Sequence, residues 1–215
     1  MKFDRIKTTR PILIVGILLG ATAASHATVI GFGNLGGNNT TVPGGLASNA
    51  TANGSGFVVT NGATPNISLL WDGNWDIHTS TFFNPIESQT IGGAAWDNEG
   101  NVARVGQLDA ATHTIVFSAT AESALVLNSF DFGHTAEAGP TATAQWTLSL
   151  TDSSLNDVWT QTVSFTGGQT FTITPNFTGN LGESYTLKFN RTASSYNSDG
   201  RHGLDNLSFN QYNSI

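Results

Sequence analysis

Apolar and polar residues alternate at every second position through most of the second half of the chain. Trp146, Leu148 and Leu150 alternate with Thr147 and Ser149, and Tyr185, Leu187 and Phe189 with Thr186, Lys188 and Asn190. A period of two marks a half-buried strand. The pattern predicts strands at His113–Ala119, Ala124–Phe132, Thr143–Thr151, Asp157–Thr166, Gln169–Thr174, Ser184–Asn190 and Leu204–Asn210. Shorter apolar runs predict strands at Thr28–Leu35, Phe57–Thr60 and Ile67–Trp71, the last two separated by a turn at Asn61–Pro65. Gly36–Gly56 has scarcely a large apolar side chain and is predicted to be a long surface loop. Phe82–Gly106 is predicted to be irregular. No stretch after the first 27 residues sustains a 3.6-residue apolar period over three turns. Many short strands with Thr-rich outer faces predict an all-β fold, a single antiparallel two-sheet β-sandwich of jelly-roll-like type.

The first 27 residues follow a different pattern. Lys2, Arg5, Lys7 and Arg10 precede the apolar run Ile12–Leu19, and Ser25-His26-Ala27 ends a stretch of small residues. That order is a secretory signal peptide, with cleavage expected after Ala27. The apolar run is about half the ~20 residues that a spanning helix requires. The domain division is therefore 1–27 signal peptide and 28–215 β-sandwich, with no membrane span in the mature chain.

Composition changes the picture in two ways. The absence of Cys means that disulfides do not hold an exported fold together. The leader takes four of the eight Lys and Arg and one of the fifteen Asp and Glu, leaving four bases against fourteen acids, a net charge of −10. Such a chain is a poor partner for nucleic acid or an anionic membrane. Acidity of this kind suits solubility, or divalent cations.

The closing stretch, Gly200–Gln211, alternates Leu207 and Phe209 with Asn206, Ser208 and Asn210. Asp205 shares the parity of Leu207 and Phe209. A carboxylate at the mouth of a core-facing row needs a partner. Arg201, Arg104 and Arg191 are candidates, and calcium is the metal that such an oxygen would take.

Asn128-Ser129-Phe130-Asp131 and the ending Gly203-Leu204-Asp205-Asn206-Leu207-Ser208-Phe209-Asn210-Gln211, with the leader and the Thr/Asn/Gly-rich strands, resemble bacterial exported proteins of the PEP-CTERM type. The resemblance implies a jelly-roll-like sandwich closed by this strand, and an extracellular role among polysaccharides. That group's sorting tail would follow the strand. Here Gln211–Ile215 has no Pro, no apolar helix and no Arg.

Candidate chemistry lies in two aromatic-acidic patches. Trp71-Asp72-Gly73-Asn74-Trp75-Asp76 carries oxygen side chains at alternate positions, and Trp96-Asp97-Asn98-Glu99 is the second patch. Trp75 and Trp96 lie in polar surroundings and would stack on sugar rings, with Asp72, Asn74, Asp76 and Asp97 binding hydroxyls. Trp71, Trp146 and Trp159 are predicted to be core. No catalytic motif is present: there is no Gly-x-Ser-x-Gly, no His-Glu-x-x-His and no phosphate loop. The sequence therefore points to a secreted, non-catalytic protein that binds carbohydrate or associates with extracellular polysaccharide. A purely structural surface or matrix protein is the alternative, and a glycoside hydrolase on the same scaffold is third.

Overall fold

The computed structural model describes residues 27–32, 35, 40–60, 62–79, 101–105, 112–134, 141, 143–166, 169–195 and 202–214. Residues 1–26 of the predicted leader, Trp96, Asp97 and Arg201 lie outside them, while Ala27, its last residue, opens the first strand. The described residues hold fourteen strands: β1 Ala27–Ile30, β2 Thr40–Thr41, β3 Phe57–Thr60, β4 Ile67–Trp71, β5 Trp75–Thr79, β6 Asn101–Val105 and β7 Thr112–Ala119, followed by β8 Ser123–His134, β9 Thr143–Thr151, β10 Asp157–Thr166, β11 Thr170–Ile173, β12 Phe177–Thr178, β13 Ser184–Ser194 and β14 His202–Asn213. All pairings between them are antiparallel.

Nine strands form one sheet and five the other. The smaller runs β10-β9-β13-β7-β4. In the larger, β11-β8-β14-β6-β5-β2 is the main path, with β1 joining β14 to β3 and β12 pairing with β8. The predicted alternation decides the inner faces. Leu148 and Leu150, Leu187 and Phe189, Ile115 and Phe117, and Ile67 and Leu69 are buried on the five-stranded sheet. Leu125, Leu127, Phe130 and Phe132 of β8, with Leu204, Leu207 and Phe209 of β14, face them. Rings interlock across the layers: Phe117 meets Phe209 at 5.5 Å, Phe130 meets Phe189 at 5.6 Å, and Phe132 meets Trp146 at 5.4 Å between centroids. Each such side chain contributes about 1.5–3 kcal/mol by leaving water. This is the antiparallel sandwich that the periodicity predicts.

Several elements depart from the sequence reading, among them the short strands β2, inside the predicted loop, and β12. Trp75–Thr79 and Asn101–Val105 are strands paired with each other, although the second falls in the segment expected to be irregular. Trp75 and Ile77 do alternate with Asp76 and His78, but the run is only five residues long and is set among acidic and amide groups, while Asn101–Val105 shows no clean alternation. The Gly36–Gly56 expectation fails for residues 42–50. Val42, Leu46, Ala47 and Ala50 are buried, and this segment runs along the outer edge of β4. Asn49 donates its amide to the Ile67 carbonyl, Trp71 donates to the Gly44 carbonyl, and the Ser48 hydroxyl accepts the Leu69 amide at 2.6 Å. The loop therefore satisfies an edge that would otherwise be open to pairing.

Candidate functional site

Trp75 corrects the sugar-stacking expectation. Its side chain is fully buried. The indole N–H donates to the Thr114 carbonyl at 3.2 Å, and the ring stands edge-on to Trp71, Phe189 and His113. No face is left for a sugar. Trp71 and Trp146 are buried as predicted, and Trp159 packs half-buried against the core.

The acids around Trp75 do not converge on a ligand. Asp72 ties the β4–β5 turn to β7: one oxygen accepts the Asn74 amide at 3.0 Å, and the other accepts the Thr114 amide and hydroxyl. Both oxygens serve the fold. Asn74 is exposed at the turn, and Asp76 is half-buried on β5 opposite Thr41 and Arg104.

Asp205 is fully buried, but it does not share the face of Leu207 and Phe209. Asn206 takes a left-handed conformation at φ 50°, and the β14–β8 register shifts between Asp205 and Ser208. Such a bulge moves an extra residue into one strand and reverses the faces beyond it. Leu204 pairs with Phe132 in the core, so Asp205, paired with Asp131, belongs to the opposite face. The pair Asp131 and Asp205 was invisible in the sequence because 73 residues separate the two acids. Asp131 accepts the Thr172 hydroxyl at 2.6 Å and the Asn206 amide side chain at 3.0 Å, while Asp205 accepts the Asn206 backbone amide at 2.8 Å. The backbone of Arg104 pairs with Gly203, two residues away. Two enclosed carboxylates side by side in one ladder are not the glycosidase arrangement, which opposes two carboxyls across a cleft. Among the described residues no three His, Asp or Glu groups converge as metal ligands.

The open polar surface lies elsewhere, on the outer face of the five-stranded sheet. Its polar cross-strand rows read Thr160–Ser149–Lys188–Thr114, Thr162–Thr147–Asn190–Thr112 and Ser184–Ser118–Ser68, and between the first and the last runs a mixed row, Thr151–Thr186–Val116–Leu70, whose Leu70 is exposed. Thr112, Gln145, Thr160, Thr162 and Ser164 are exposed, and Thr114, Thr147, Lys188 and Asn190 are half-buried. Lys188 is the charge within these rows. Asp157 stands at the margin, accepting the Thr151 hydroxyl. Neighbours hold one another: the Thr112 hydroxyl donates to the Asn190 amide oxygen at 3.0 Å, and the Gln145 amide donates to the Ser164 hydroxyl at 3.3 Å. At one end a groove of about 470 Å³ opens between Thr143, Gln145, Ser164, Thr166, Ala193 and Ser195. The same alternation that buries Leu148 and Leu187 exposes these hydroxyls. The sequence contained this signal, but a Thr-rich outer face reads as ordinary strand chemistry until neighbouring strands are placed in register.

No family model matches the chain, and no curated protein matches it. Several solved structures align with it at low identity. An arabinose-bound α-L-arabinofuranosidase aligns over 87% of this chain at 7% identity with a TM-score of 0.39; the chain spans 27% of that protein. A carbohydrate-binding module in complex with β-1,4-galactotriose aligns over 69% of this chain and 88% of its own length, at 14% identity and a TM-score of 0.29. A family 11 carbohydrate-binding module from Clostridium thermocellum, in complex with a β-1,3-1,4-mixed-linked tetrasaccharide, aligns over 81% of this chain and 96% of its own length, at 13% identity and a TM-score of 0.25. These scores are too low to carry a function across.

Proposed function

We propose that this chain is a secreted, non-catalytic protein that binds neutral polysaccharide outside the cell. The observation that carries the reading is the outer face of the five-stranded sheet. Its Ser, Thr, Asn and Gln side chains each donate and accept, as sugar hydroxyls do. A mature net charge of −10 disfavours acidic polymers, and the lone Lys188 among the rows is too little for nucleic acid. Each hydroxyl contact is worth only about 0.5–1.5 kcal/mol net. Single sugars should therefore bind weakly, and a polymer engaging several rows at once should bind far better.

Native gels cast with hydroxyethylcellulose, laminarin, galactan or xylan test the reading. The mature chain should be retarded by at least one of them. Thr147→Arg with Asn190→Arg, which fills the middle of the face, should restore free migration. Unretarded migration of the wild type in every gel would exclude the function. A second reading, a structural matrix protein with no small ligand, is favoured by the burial of Trp75, which removes the expected stacking ring. It predicts that free migration.

A further inference from the structure

The two sheets end side by side without joining. β10 is the terminal strand of the five-stranded sheet and β11 that of the nine-stranded sheet. A pocket of about 270 Å³ lies in the seam between them. Its floor is apolar: Val163 and Ile173 are buried, and Phe171 is half-buried, its ring 5.3 Å from that of Phe165 and tilted by 46°. Its rim carries the exposed residues Gln161, Ser164 and Thr172. Gln161 stands opposite Leu148 in the ladder, on the inward-facing parity, yet it is exposed because β10 is an edge. Ser164 also lines the groove on the outer face, so the two openings meet at one residue.

We propose that this seam is a subsite for one neutral sugar ring at the margin of the polysaccharide face, with Phe171 as its aromatic platform. The inference rests on the polysaccharide reading. Pocket size sets the occupant: 270 Å³ lies just below the ~300–1,000 Å³ range that takes a drug-sized ligand. That suits one ring rather than an oligosaccharide. Chemistry sets the class. An uncharged pocket with an aromatic and aliphatic floor, and an amide and hydroxyls around the rim, matches a pyranose, which is apolar on its ring faces and polar at its edge. The seam therefore supplies the ring contact expected of Trp75, from an edge strand whose role no sequence pattern marks.

The test measures retardation of wild type, Phe171→Leu and Gln161→Ala in the same four polysaccharide gels, with a thermal melt of each protein. Phe171→Leu keeps an apolar floor but removes the flat ring. Gln161→Ala alters an exposed side chain and leaves the core untouched. The subsite predicts that each variant weakens binding about tenfold or more while Gln161→Ala melts with the wild type. Wild-type retardation in both variants would overturn the subsite and leave the polysaccharide face standing. No retardation of the wild type would overturn the face, and the subsite with it. If Phe171→Leu unfolds, Gln161→Ala decides between these outcomes.

Discussion

Trp75 and Asp205 show how much a single position depends on what packs over it. Trp75 is flanked by Asn74 and Asp76, which marks a wet site in sequence, yet strand alternation turns it inward against Phe189. Trp75→Ala should destabilise the fold by about 3–5 kcal/mol in urea unfolding, as large-to-small changes in a packed core do. Wild-type stability in that variant would contradict the core placement. Asp205→Ala should cost about 1–3 kcal/mol, because the half-buried Asn206 amide loses its acceptor. Melts of both proteins with and without chelator complete the measurement. A chelator effect present in wild type and abolished in Asp205→Ala would assign calcium to the Asp131–Asp205 pair. Unchanged stability on substitution would remove the carboxylate from the structural account.

Edges and turns are the elements where local chemistry decides stability. The 42–50 segment closes the β4 edge, and the Ser48 hydroxyl both accepts from the Leu69 amide and donates to the Leu69 carbonyl. Ser48→Ala should expose that amide to hydrogen exchange and lower stability by about 1 kcal/mol. An unchanged exchange rate at Leu69 would mean that the loop does not guard the edge. The β9–β10 turn is tied by Asp152, whose carboxyl accepts the Asn156 amide at 2.9 Å and the Ser154 amide at 2.9 Å. The Asn156 backbone bond, then its side-chain bond, hold Asp152 below its ordinary value of 3.8. A depressed carboxyl stabilises the turn above pH 3.8 and ceases to do so as pH falls through the lower folded value. Amide exchange at Ser154 and Asn156 should therefore accelerate relative to Asp152→Asn as the solution is acidified. Parallel profiles in the two proteins would show that the carboxylate does not hold the turn.

At the scale of the whole molecule, polysaccharide binding should grow with polymer length, and the exported protein should begin at Thr28. Intact-mass measurement of secreted material checks the second point; a mass that includes Met1–Ala27 would defeat it. The sequence by itself determined the all-β class, the regular strands from β7 onward and the inner rows, because a two-residue period is written locally and each strand carries its own copy. It also determined the burial of Trp71 and Trp146, which continue those rows. It did not determine the face of Asp205, since one left-handed residue at Asn206 resets parity in a way that the pattern does not record. Nor did it determine the fate of Trp75 or of the 42–50 segment, because their environment comes from β7, β13 and β4, distant in sequence. Only tertiary structure set Asp131 beside Asp205, aligned the hydroxyl rows across the strands of the five-stranded sheet and left a seam between β10 and β11. Those are facts of register and of which edge meets which, and they arise from contacts between segments rather than from the preferences of any one.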